Sequence, residues 1–374
     1  MPMPQPAATK PLVLPVLPLP EGSLVWYRAV TLAERVSGRI DTPSMPVSIA
    51  RQRGGDPERV KHSVLSWKSQ APFEDAATFR ERLSLDGLTE AGLRALIAES
   101  PSEIALRLGT VPPWLSKIED ALAAAPHFDV HRLLTDRLRR NPAIGFLDLA
   151  APFIGPAISL LEAGATSLGG RARDRVGDPA RLFFPTLAKS LLRMVSRTLV
   201  LELNVARVSG RLAGASPEAR FESFIAQLHD RARLQELFQE YPVLARLLVE
   251  HTDRWVRVSL ELLDRMVQDF SALEVAFNGG RPLGPLVRVS DGLSDPHEGG
   301  HSVAILTFAS GARIVYKPKS LAVDAHFQDL LRWLTAEGFT PACRTLTIVD
   351  RGQYGWAEYA ASEPCSSVDA VGRF

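Results

Sequence analysis

The chain has 374 residues, 46% of them hydrophobic and 23% charged, an ordinary globular composition rather than a disordered or fibrous one. Its 43 basic and 42 acidic residues leave a net charge of +1, so no global field favours nucleic acid or an anionic membrane, and neither is expected as a partner. Cys343 and Cys365 are the two cysteines, too few for a disulfide framework or for a zinc site of their own; they suit a reducing compartment, and a cytoplasmic location is expected.

At roughly 100–200 residues per domain, this length predicts about two domains. Residues 1–23, MPMPQPAATKPLVLPVLPLPEGS, form a Pro-rich leader. Its apolar stretch is interrupted by Pro11, Pro15, Pro18 and Pro20, which rules against a signal helix and predicts an extended, polyproline-like segment. No later run reaches about 18 uninterrupted apolar residues, so no membrane insertion is expected.

Residues 24–280 read as mainly helical. Thr89 is placed to cap a helix containing Leu93, Leu96 and Ile97. A long helix is predicted from Thr186 to Ser209, with Pro185 just before it and Gly210 just after. Its apolar face is Leu187, Leu191, Met194, Val195, Thr198, Leu201, Val205 and Val208. Ser216-Pro217 restarts a helix, and another covers 243–276 with Leu248, Trp255, Leu262, Met266 and Phe270 on one side. These stripes read as the core faces of a helical bundle. His62, His127, His131, His229 and His251 are scattered; His127 and His131 share a helical spacing, but without the glutamate of the metalloprotease pattern no metal site is expected.

The character changes at Asn278-Gly279-Gly280, a turn signal. Strands are then predicted at Leu286–Ser290, Ser302–Phe308 and Ala312–Lys317, the last two joined by the hairpin connection Ala309-Ser310-Gly311. Ser320 caps a helix that Gly338 ends, and strands follow at Arg344–Val349 and Tyr354–Tyr359. The fold class is α+β: a helical N-terminal region, then a small antiparallel sheet with one helix over residues 281–361, and a short segment 362–374.

This order of strands and helix resembles the small lobe of a protein kinase. There a loop over the phosphates joins the first two strands, and a lysine on the third strand reaches those phosphates. The corresponding loop here is Leu293–His301, and the lysine is Lys317 in Ile314-Val315-Tyr316-Lys317-Pro318-Lys319. Phosphoryl transfer spreads negative charge over oxygens, and a fixed ammonium stabilises it. Gly299 and Gly300 would let backbone N–H groups approach phosphate with no Cβ in the way, and Pro318 ends the strand just past the lysine. Position alone leaves other readings open: a solvated strand-end lysine, a flexible Gly pair, or Asp295, His297 and His301 as surface residues or a weak metal cluster.

The uninterrupted run from Ser294 to Leu331, SDPHEGGHSVAILTFASGARIVYKPKSLAVDAHFQDLL, resembles the dehydratase domain of class II, LanM-type lanthipeptide synthetases. That family shows a D-x-H-x-G-G loop, an apolar strand and then V-Y-K-P-[RK]-S-L. The resemblance implies a kinase-like dehydratase that uses ATP and Mg²⁺ to phosphorylate Ser and Thr of a precursor peptide with a Ser/Thr/Cys core. Phosphate is then eliminated to leave dehydroamino acids, and a separate zinc cyclase domain adds Cys thiols. Carried over by position, Lys317 matches the phosphorylation lysine, with Gly299 and Gly300 beside the nucleotide. Asp295 and His297 match the residues of phosphate elimination, where a histidine held by a carboxylate can act as acid or base. Asp324 and Asp329 are candidates to pair with Lys317.

The family's catalytic aspartate, its Mg²⁺ ligands and its zinc domain match nothing in these residues. The expectation is therefore a truncated dehydratase, with 362–374 as the start of a large lobe and the missing C-terminal part as a separate partner chain. The alternative is a catalytically incomplete protein that binds nucleotide or precursor peptide.

Overall fold

The computed structural model describes residues 21–37, 56–124, 128–290, 299–361, 365 and 367–373. The chain divides into two compact units, residues 1–120 with 235–246, and residues 121–234 with 247–374.

The first unit opens with a 3-10 helix, Glu21–Ala29, and α1, Leu32–Ser37. It continues through α2 (Pro57–Lys68), α3 (Ala76–Leu85), α4 (Glu90–Ile97), α5 (Pro101–Leu108) and α6 (Pro113–Ala123). The starts of these helices are set by side chains that satisfy orphan N–H groups. Asp56 caps α2, Asp75 caps α3, and Ser100 with Glu103 makes a capping box on α5. Thr89 caps α4 as its sequence predicts, its hydroxyl accepting from Gly92 N at 3.1 Å. Val64, Phe79, Leu83, Leu88, Leu93 and Leu96 form the core cluster. Arg246 is tied into the same unit by Glu34, at 2.6 and 3.0 Å, and by the Ala29 carbonyl at 2.8 Å.

The second unit opens with a 3-10 turn, Val130–Leu133, and α7 (Asp136–Arg139), followed by a second 3-10 turn, Ile144–Ala150, running straight into α8 (Ala151–Ser167). The joined stretch Ile144–Ser167 has a mean hydropathy of 1.7 and is long and apolar enough to cross a membrane, but 72% of it is buried inside the protein. It is a core helix by packing, and Asp148 and Glu162 interrupt it as a purely apolar run. Then come α9 (Gly170–Val176), α10 (Pro179–Val208), α11 (Pro217–Gln227), α12 (Arg231–Glu240) and α13 (Pro242–Asn278), of which residues 235–246 belong to the first unit.

Two features of α10 differ from its sequence reading. The helix starts at Pro179 behind the cap Asp178, not at Thr186, and Pro185 lies inside it. The missing Pro185 N–H forfeits one hydrogen bond, but Phe183, Phe184 and Leu187 around it are all buried, and that packing holds the turn. Further along, Leu201, Val205 and Val208 face outward, while Leu199, Glu202 and Ala206 are buried. Arg233 meets the buried Glu202 carboxylate at 3.0 Å, so an ion pair sits where periodicity predicts an apolar side chain. The predicted stripe of α13 holds throughout: Leu248, Trp255, Leu262, Met266 and Phe270 are all buried.

The sheet contains β1 (Leu286–Ser290), β2 (Ala304–Phe308), β3 (Arg313–Lys317), β4 (Ile348–Asp350) and β5 (Gly355–Glu358), in the order β1-β2-β3-β5-β4 and antiparallel throughout. The β2–β3 hairpin turns at Gly311, whose φ of 87° suits a residue without a Cβ. Between β3 and β4 lies α14 (Ala322–Ala336), and α15 (Val368–Arg373) follows β5. The strand predicted from Arg344 begins only at Ile348, because the preceding backbone N–H groups bond to side chains instead. Leu346 N donates to Gln328 Oε1 at 2.8 Å and Thr347 N to Glu358 Oε2 at 3.1 Å.

The sheet has two distinct faces, because successive strand residues point to opposite sides. Ala304, Leu306, Phe308, Ile314, Tyr316 and Trp356 are buried on the side of α13. Ile305, Thr307, Val315 and Lys317 alternate with them on the side of α14 and are only half buried. The sequence predicts one helix packed on the sheet without choosing its face; the role of α13 as backing for the first face is not visible in it.

Candidate functional site

Lys317 is the last residue of β3 and projects on the half-buried face. Its Nζ lies 2.7 Å from Asp324 Oδ1, and the two side chains are 28% and 25% exposed. Asp324 is the third residue of α14, where the helix N-terminus favours a negative charge. The hydrogen bond from Lys317 holds its carboxyl below the usual carboxylate range, against the opposing effect of burial. Of the two aspartates the sequence offers as partners, the structure selects Asp324. Asp329 lies further along α14, more than half exposed, and pairs with Arg332 and His326.

The space beside the lysine is kept by a glycine. Gly355 of β5 lies opposite Lys317, and a Cβ there would come within 2.6 Å of the Leu321 side chain. Leu321 N donates to Asp350 Oδ1 at 2.7 Å, which fixes the start of α14 against the β4–β5 turn. The ammonium is thus met by the first turn of α14, and that turn is itself anchored through Leu321 N on Asp350.

Asp295 and His297 lie outside the described residues. The described part of the loop begins at Gly299 and Gly300, with φ of 78° and 99°, a region costly for any residue with a Cβ. Gly299 O accepts from Arg257 Nη2 at 2.8 Å. A Cβ at Gly300 would fall 2.0 Å from Arg254 Cδ, so any larger residue there would displace the arginine as well as strain φ. His301 Nε2 meets Glu261 Oε2 at 2.8 Å, and Glu261 also pairs with Arg265, which donates to the Tyr316 hydroxyl.

One turn further along α13, the buried Asp269 accepts from Arg351 Nε at 2.8 Å, Tyr354 Oη at 3.0 Å and Trp356 Nε1 at 2.8 Å. Burial, with the Asp269 carboxylate beside it, pushes the Tyr354 phenol up to about 12, and burial likewise raises Tyr316. Sequence reading missed this polar face of α13. Its members recur at three- and four-residue steps, the one available signal, and that spacing equally suits an ordinary solvated helix side.

Other candidates separate from this site. His127 lies outside the described residues. His131 and His229 both bind the buried Asp148, at 3.0 and 2.8 Å. Among the described residues no group of three or more His, Cys, Asp or Glu side chains is arranged to hold a metal ion. Cys343 and Cys365 are unpaired thiols. The first unit contains a cavity of about 510 Å³, mainly apolar; its charged lining residues, Arg82 and Asp86, neutralise each other at 2.8 Å.

Residues 241–374, which include the whole sheet, α14 and α13 from its start, match a family model described as a domain of unknown function, DUF4135. The chain is also similar to the lacticin 481/lactococcin biosynthesis protein LcnDR2 of Lactococcus lactis subsp. lactis, 23% identical over 189 residues. That match covers 48% of this chain and 20% of the relative, so the chain spans only a fraction of the relative's length.

Proposed function

We propose that this chain carries the phosphate-binding side of an ATP-dependent dehydratase acting on a precursor peptide in lantibiotic biosynthesis. The observation that carries the reading is the Lys317–Asp324 pair across β3 and α14, 2.7 Å long, in a segment with the V-Y-K-P-K-S-L pattern. Similarity to a lacticin 481/lactococcin biosynthesis protein supports the same pathway class. In this reading Lys317 holds the nucleotide phosphates, and Gly299 and Gly300 present backbone to them. Asp324, held ionised by its hydrogen bond from Lys317, fixes the ammonium in place. ATP, as substrate with Mg²⁺, supplies the phosphoryl group to a Ser or Thr hydroxyl of the peptide.

Elimination then removes the α-proton while the Cβ–O bond breaks, the phosphate leaving with the bonding electrons and a carbon–carbon double bond forming. Asp295 and His297 are the proposed residues for that step. Titration calorimetry with MgATP tests the phosphate-binding part. Wild-type protein is expected to bind; Lys317→Ala is expected to lose binding, and Asp324→Asn to weaken it about tenfold, as for loss of one charge-assisted contact. Binding that survives Lys317→Ala unchanged would remove the basis for the reading.

A further inference from the structure

The polar face of α13 does more than cover the sheet. Arg254, Arg257, Glu261, Arg265 and Asp269 form one line along the helix, and each touches a different part of the segment that follows. Arg257 and Glu261 hold the backbone around Gly299 and the His301 ring, the stretch that leads from the loop into β2. Arg265 holds Tyr316, the residue just before Lys317, and stacks over the Tyr354 ring at 4.4 Å. Arg257 and Arg265 are eight positions apart, about 12 Å along a rigid helix. The antiparallel pairing of Ala304 with Tyr316 brings the start of β2 beside the end of β3. The loop exit and the lysine therefore lie at the same end of the sheet, and one helix fixes both.

Resting on the nucleotide-binding reading of Lys317, we propose that Arg257 and Glu261 are positioning residues, a two-point clamp that sets the glycine turn relative to Lys317 before phosphate binds. The chemistry fits that role better than a purely structural one. Arg254 and Arg257 are exposed, so their contacts add little to folding. Arg257 donates to a backbone carbonyl at a glycine, where the chain would otherwise sample many conformations. Gly300 leaves room for Arg254 to pass directly against the turn. Removing such a clamp leaves the fold intact and transfers the cost of ordering the turn to the binding step.

The test is MgATP affinity by calorimetry alongside urea unfolding, for wild type, Lys317→Ala, Arg257→Ala, Arg257→Lys, Glu261→Ala and the milder Glu261→Gln. The expected result is that Arg257→Ala and Glu261→Gln bind about tenfold more weakly with unchanged urea midpoints, and that Arg257→Lys, which keeps a donor, recovers most of the loss. Wild-type affinity in Arg257→Ala and Glu261→Gln, while Lys317→Ala fails to bind, would overturn the clamp and leave the nucleotide reading standing. Midpoints falling in step with affinity would also overturn it, because the contacts would then be structural. Absence of MgATP binding by the wild type would overturn the nucleotide reading, and the clamp with it.

Discussion

The Lys317–Asp324 pair makes a specific demand on pH. The Asp324 carboxyl ordinarily titrates near 3.8 and is held lower by its hydrogen bond from Lys317. A carboxylate whose folded value is depressed contributes stability above its unfolded value and loses it as pH falls through the folded one. Wild type should therefore exceed Asp324→Asn in stability by a constant margin from neutral pH down to about 5, and the margin should vanish well below 3.8. Urea midpoints of the two proteins across that range measure it. A margin that disappears between pH 7 and 5 would show that the titrating group is not this carboxylate.

Much of this pair was legible in the sequence. A lysine followed by Pro318 at a strand end, then a capped helix, brings Lys317 near the first turns of that helix and narrows its partner to Asp324 or Asp329. The choice between them required the helix's actual start, because α14 begins at Ala322 and places Asp324 at its positive end. Asp350, which anchors that start through Leu321 N, is distant in sequence and has no local signature.

At the scale of elements, apolar periodicity and turn signals located the five strands and the long helices α10 and α13, left most of the short helices unplaced, and misjudged the start of α10. Proline reads as a helix boundary, so the predicted start fell just after Pro185. The buried Phe183 and Phe184 shift the true start to Pro179, with Asp178 Oδ1 accepting from Arg181 N at 3.1 Å. Replacing Asp178 with Ala is expected to lower stability by about 1 kcal/mol, the usual worth of a helix cap. A helix starting at Thr186 would leave Asp178 in a connecting loop, and chemical denaturation of the variant would then match wild type. For α13 the apolar stripe was correct, yet the polar line that flanks it on the same helix went unread. Nothing local distinguishes a solvated polar face from one that meets Tyr316, Tyr354 and Trp356. The difference lies in where the sheet returns, and that is a long-range fact.

At the scale of the whole molecule, the distribution of assigned roles limits what the chain should do. Dehydration needs phosphate binding, a group that aligns the attacking hydroxyl, and Mg²⁺ ligands that neutralise the transferring charge. In the proposed reading, Lys317, Asp324, Gly299 and Gly300 serve only the first of these, and Arg257 and Glu261 its geometry. His131, His229 and Asp148 satisfy one another, and the cavity of the first unit presents apolar surface with one neutralised ion pair. None of these groups orients a serine hydroxyl beside Lys317. The chain is thus expected to bind MgATP yet leave a co-expressed Ser/Thr-containing precursor peptide at its unmodified mass. Mass spectrometry of that peptide decides the matter. Loss of water would show that residues of this chain outside the lysine side complete the reaction, whereas added phosphate without water loss would separate phosphorylation from elimination and assign the deficit to the second step.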